Sequence, residues 1–172
     1  MEVNNQNNEV KISVILPTNG YFLSSVRDFT KTLAQNMTGF SEKWAYRFQS
    51  VVDELASNAI EHGCRPGDEI KITFLAKKDE SLVILVEDPG HGDQKFTAQQ
   101  LNDMYNQKIK TFATQQFMGI RGRGLAQIVH PWSDEISFED TETGGIRVKV
   151  VKYLKKQENS LEQSVNVSSE RQ

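Results

Sequence analysis

A chain of 172 residues has the length of one compact domain with short tails. Its 20 Lys+Arg against 23 Asp+Glu give a formal charge of -3, the wrong sign for a broad nucleic-acid-binding surface. No apolar run approaches the roughly 18–20 residues that cross a bilayer, and a single cysteine, Cys64, can close neither an intrachain disulfide nor a cysteine-based metal site.

The Asn-rich start, 1–9, has no cationic opening or apolar segment and so does not resemble a secretory signal. Its composition, and that of the Ser-, Gln- and Glu-rich segment 155–172, suits a disordered tail. The expected domain is therefore 10–154, in a cytoplasmic protein without direct nucleic-acid or membrane contact. Val10, Ile12, Val14 and Leu16 alternate with polar residues up to Pro17 and predict a strand. Phe22, Val26, Phe29, Leu33 and Met37 recur at threes and fours and predict a helix ended near Gly39. Ser41 offers an N-cap to a long helix carrying Trp44, Phe48, Val51, Leu55 and Ala59 on one stripe and closed by Gly63. Ile70, Ile72 and Phe74 predict a half-buried strand, and the apolar run 82–86 a fully buried one. A weak helix over 97–105 leads into a polar stretch as far as Arg121, long enough for a lid. A short helix from about Arg123 to His130 stops at Pro131, and two strands around Thr143-Gly144-Gly145 make a terminal hairpin. Strands grouped in pairs argue for an α+β two-layer sandwich with a mixed sheet.

Three segments carry chemistry. In Asp53-Glu54-Leu55-Ala56-Ser57-Asn58, Glu54 and Asn58 stand one helical turn apart at the edge of the apolar stripe. They are either a solvated flank or a carboxylate and an amide facing a pocket, where the first can take a proton and the second can ligate Mg2+. Asp88-Pro89-Gly90-His91-Gly92 follows the most buried strand. Asp88 either caps a turn or accepts from a base amino group, with Gly90 and Gly92 letting the backbone approach a ligand. No third glycine completes a dinucleotide fingerprint, and no GxxxxGK[ST] loop occurs. Gly119 to Gly124 precedes a helix start, which is either a flexible entry or an anion site reinforced by Arg121 and Arg123.

Asn58 and Asp88, and likewise Gly92 and Gly122, are thirty residues apart. In this order and spacing the chain resembles the GHKL (Bergerat-fold) ATPase superfamily. Glu54-x-x-x-Asn58 looks like its N box, Asp88-x-Gly90-x-Gly92 its G1 box and Gly122-x-Gly124-Leu125 its G2 box. Within that superfamily the run 53–63 is similar to that of the small bacterial anti-sigma-factor serine/threonine kinases. The resemblance implies a Bergerat sandwich with helices on one face of the sheet and an ATP lid. It implies ATP and Mg2+, Glu54 as general base, Asn58 as metal ligand and Asp88 as reader of the adenine amino group. Gly90, Gly92, Gly122 and Gly124 would shape the pocket, and Thr114, Arg121, Arg123 and Leu125 would meet the nucleotide. The implied partners are a sigma factor and a STAS-type anti-anti-sigma protein, with a homodimer possible. Two positions depart from the pattern: Ile146 stands where relatives carry a Thr after the last glycine, and the lid has Phe112-Ala113-Thr114 where kinases often have Phe-Thr-Thr. The alternative function is an ATP-gated binding module that transfers no phosphate. His62 and His91 are expected to bond locally, His130 to mark a helix end, and Cys64 to have no redox role.

Overall fold

The computed structural model describes residues 2–6, 9–93, 96–113 and 124–155. Six strands form one sheet in the order β1-β2-β3-β4-β6-β5: β1 (Glu2–Gln6), β2 (Glu9–Pro17), β3 (Glu69–Lys77), β4 (Ser81–Glu87), β5 (Glu135–Asp140) and β6 (Ile146–Tyr153). Helices α1 (Leu23–Met37) and α2 (Glu42–Gly63) join β2 to β3, and α3 (Ala98–Ala113) follows β4. A single π-helical turn, Leu125–Val129, precedes β5.

The spacing of apolar residues accounts for the two layers. Ser41 sits extended at the start of α2, and its carbonyl takes the first helical bond from the Ala45 amide at 3.0 Å. Trp44, Phe48, Val51, Val52, Leu55, Ala56 and Ala59 then bury one face of α2, while Val26, Leu33 and Ala34 bury the facing stripe of α1. Gly39, left-handed at φ 78°, turns the chain between the two helices. Both helices lie against Ile12, Leu16, Ile70, Ile72, Phe74, Ile84 and Val86 of the sheet. An α+β sandwich results, as expected.

Two expectations need correction. Every pairing in the sheet is antiparallel, so the sheet is not mixed. Strand β5 does run in the direction of β4, but β6 folds back between them, and no parallel pair forms. The start of the chain is also not wholly a tail: β1 pairs with β2 from Glu2↔Ser13 to Gln6↔Glu9. Main-chain pairing does not depend on side-chain polarity, so an Asn-rich segment can still cover a strand edge. The expected tail at 156–172 lies outside the described residues. No described helix is long and apolar enough to cross a membrane.

Helix α3 runs eight residues past its expected end at Tyr105. Its Gln and Lys residues are good helix formers, and its side packs on β5. The Ala98 amide donates to Asp140 Oδ1 at 2.8 Å, and Asn102 Nδ2 donates to the Phe138 carbonyl at 3.3 Å. Further along, the Tyr105 hydroxyl meets His130 Nδ1 at 2.7 Å. These contacts hold α3 across the open side of the space between α2 and β6.

Candidate functional site

The C-terminal end of α2, the loop after β4 and the β5–β6 turn interlock through their main chains. The His91 and Gly92 amides both donate to the Gly63 carbonyl, at 2.9 and 3.1 Å. Gly90 is left-handed at φ 73°, and a Cβ there would strike the Gly144 carbonyl. Added Cβ atoms at Gly63, Gly92 and Gly145 would strike the Asp88 carboxylate, the His62 carbonyl and the Asp88 carbonyl respectively. Outside this knot, His91 Nδ1 meets Asp68 Oδ1 at 3.0 Å, which ties the loop to the residues after α2.

Asp88 stands at the centre. Its amide donates to the Ile146 carbonyl at 3.1 Å, and Oδ1 accepts from the Gly90 amide at 2.9 Å and the Ile146 amide at 3.3 Å. Burial raises the carboxyl pKa, and those two N–H groups oppose the rise. Among the described residues no donor meets Oδ2, so this oxygen is left to accept from a ligand in the cleft that Asp88 lines.

That cleft has a volume of about 360 Å³, in the range of small-molecule sites. Ala59, Val86, Leu101, Met104, Phe138 and Ile146 give it apolar walls, and Asp88 lines it with them. An acceptor at one end of an apolar slot suits a flat heterocycle bearing an amino group, so adenine fits. Asn58, Gly90 and Leu125 also line it.

Glu54 and Asn58 lie on α2, before the glycine knot. Asn58 Nδ2 donates to Glu54 Oε1 at 2.9 Å, which leaves the amide oxygen of Asn58 and Oε2 of Glu54 for other partners. Gly124, which opens the π-helical turn, packs so tightly on this carboxylate that an added Cβ would overlap it. Glu54 therefore sits between α2 and the turn that bears Leu125. No group of three or more His, Cys, Asp or Glu among the described residues could hold a metal unaided. A divalent cation at Asn58 would draw the rest of its shell from phosphate and water, which is how Mg2+ is ordinarily held.

Of the residues singled out in the sequence, Asn58, Asp88, Gly90 and Leu125 come together around one cleft, Gly92 backs it, and Glu54 faces Gly124. Thr114, Arg121, Gly122 and Arg123 lie outside the described residues. Gly63 and Gly145 stand outside the expected set of site residues, and the fold brings both against Asp88. Sequence reasoning missed Leu101 and Met104, which fall within the expected helix 97–105, and Lys108, which lies past its end. Cys64 borders the knot. Burial first, then the charges of Asp88 and Asp68, push its thiol up to about 11, so it stays protonated and inert at neutral pH.

Helices on one face of an antiparallel sheet, with a cleft between the long helix and a strand-end aspartate, define a nucleotide-binding sandwich. The profile of the histidine kinase-like ATPase domain matches residues 19–152, and the chain belongs to that family and hence to the GHKL-type ATPases. ATP is accordingly the ligand of the domain. No individual curated protein matches the chain.

Proposed function

We propose that this chain is an ATP- and Mg2+-dependent protein serine/threonine kinase that acts as a cytoplasmic anti-sigma factor. Its substrate is a serine of a STAS-type anti-anti-sigma protein, and in the absence of that antagonist it holds a sigma factor, as a monomer or a homodimer. The reading rests on one observation above all: a carboxylate, Glu54, bonded to Asn58 and pressed against Gly124 beside an ATP-type cleft. Hydrolysis or transfer needs such a group; nucleotide binding alone does not.

In this reading Asp88 Oδ2 accepts from the adenine amino group, and the glycine knot fixes the aspartate for that task. Asn58 offers its amide oxygen to Mg2+, which when bound neutralises triphosphate charge. Glu54 Oε2 takes the proton of the incoming serine hydroxyl. The serine Oγ–P bond forms as the bond from the γ-phosphorus to the bridging oxygen breaks, and ADP leaves with that electron pair. Gly122, Arg121, Arg123 and Thr114 are assigned to the phosphate-facing lid on their sequence positions, with Gly124 and Leu125 at its return. Ile146 contributes an apolar wall and an amide to Asp88 in place of a hydroxyl.

Glu54→Gln tests the assignment. A Gln carbonyl can still accept from Asn58 Nδ2, so ATP affinity should hold while transfer of labelled phosphate to a STAS-type domain falls by about 10²-fold or more. Undiminished transfer in this variant would remove Glu54 from the reaction. Tight ATP binding by the wild type without transfer to any such domain would favour the gated-module alternative.

A further inference from the structure

Helix α3 turns Leu101, Met104 and Lys108 toward the cleft. Two of these are apolar, as a slot for a heterocycle requires; the third is a cation. Lys108 is the one Lys or Arg among the described residues that line this cleft. It is partly buried, and among the described residues no carboxylate pairs with it. A cation that lines a cleft with no carboxylate paired to it is available to an anion that enters.

The topology says which end of the cleft it serves. The Ala98 amide is anchored on Asp140, at the end of β5 beside the β5–β6 turn that meets Asp88. From Ala98 to Lys108 the helix advances ten residues, or about 15 Å. Along α2, Gly63 touches Asp88, and Asn58 and Glu54 lie about 7 and 13 Å back from it. The two helices thus flank the cleft in opposite directions. The Asn58–Glu54 pair and Lys108 both lie displaced from Asp88 by amounts that suit the reach from a purine to its phosphates.

We propose that Lys108 is a phosphate-binding residue, its ammonium pairing with the polyphosphate of the nucleotide whose base meets Asp88. This deepens the nucleotide reading of the cleft and rests on it. It adds a cation from the wall helix to the arginines assigned to the lid, and it gives the cleft charge of opposite sign at its two ends.

The test compares ATP and adenosine as probes, titrated calorimetrically into the full chain with Mg2+ present, for the wild type, Lys108→Met and Lys108→Arg. Met keeps an unbranched apolar side chain of similar length and removes the charge. Lys108→Met should weaken ATP by about ten- to a hundredfold, the usual range for one charge-assisted contact, and leave adenosine unchanged. Lys108→Arg should retain most of the ATP affinity, and raising the salt should narrow the gap between wild type and Lys108→Met. Equal ATP affinity in wild type and Lys108→Met, or a matching loss for ATP and adenosine, overturns the proposal while leaving the nucleotide site standing. Failure of the wild type to take up either probe overturns both.

Discussion

Asp88→Asn separates the ligand role of this side chain from its structural one, because the two predict shifts in opposite directions. In the folded protein Oδ1 already accepts two amides, from Gly90 and Ile146. An Asn carbonyl oxygen can take over both bonds. The carboxyl pKa is raised in the fold, burial outweighing those N–H groups. Between the unfolded value of 3.8 and the raised value, the native state binds more protons than the unfolded chain. The stability linked to this group is therefore full at low pH and lost as pH rises through the folded pKa. At neutral pH the wild type carries the cost of a desolvated charge and Asp88→Asn does not. The ligand-free variant should melt no lower than the wild type at pH 7. Its melting temperature should also lack the wild-type fall across the acid window. Binding should go the other way. The amide NH2 replaces Oδ2, so the adenine amino group meets a donor instead of an ionised acceptor. Loss of one hydrogen bond to a charged group, about 1.5–3 kcal/mol, means roughly ten- to 150-fold weaker ATP. Differential scanning fluorimetry and calorimetric titration read the two effects. If stability and ATP affinity fell together, Asp88 would be a structural tie and its assignment to the base would be wrong.

Two further perturbations probe the rest of the cleft. Gly124→Ala drives a methyl into the Glu54 carboxylate. Displacing a catalytic group by about an ångström can cost on the order of 10²-fold in rate, so phosphate transfer should fall by that order while adenosine affinity holds; unchanged transfer would show that the carboxylate's position is immaterial. Tyr105→Phe removes the 2.7 Å bond to His130 that pins α3. Burial pushes the Tyr105 phenol up to about 12, so it keeps its proton at ordinary pH. His130 is exposed and water can replace the partner, so the loss should be near 1 kcal/mol, a fall of about 2–4 °C in Tm. A fall of ten degrees or none would contradict this account of how α3 is held.

The parts of the molecule that a sequence can declare are those whose side chains repeat a pattern. The stripe from Trp44 to Ala59 announces α2, the alternation in 70–74 announces β3, and the Thr143-Gly144-Gly145 turn announces the β5–β6 hairpin. Because Glu54 and Asn58 are one turn apart on a helix, their mutual hydrogen bond was implicit in their spacing. Strand β1 was illegible because its pairing uses main-chain groups that every residue carries. The closing of β6 between β4 and β5 was illegible because strand direction in a sheet depends on the whole excursion through α3. The contacts of Gly63 and Gly145 with Asp88 were illegible for a related reason: a glycine reports a need for space without saying what fills it. Lys108 lay beyond the point where the apolar stripe of α3 gives way to polar residues, so nothing local tied it to the cleft.

The two ends of the cleft are built from different materials, and this bears on how the domain would work. At the Asp88 end three glycines allow backbone to touch backbone, a fourth, Gly63, makes room for the Asp88 carboxylate, and two amides fix that aspartate before any ligand arrives. Such a site changes little on binding, so in the proposed reading its contribution lies in selecting the base. At the other end the groups are side chains: the Glu54–Asn58 pair on α2 and Lys108 on α3, with Gly124 and a lone π-helical turn between the helices. A π turn lacks the regular bonding of an α-helix and is a common feature of functional sites. Hydrogen bonds and charges here can be re-made around a triphosphate or its product without disturbing the base. A kinase needs that division, since base and ribose are the same in ATP and ADP and only the phosphate end can report which is bound.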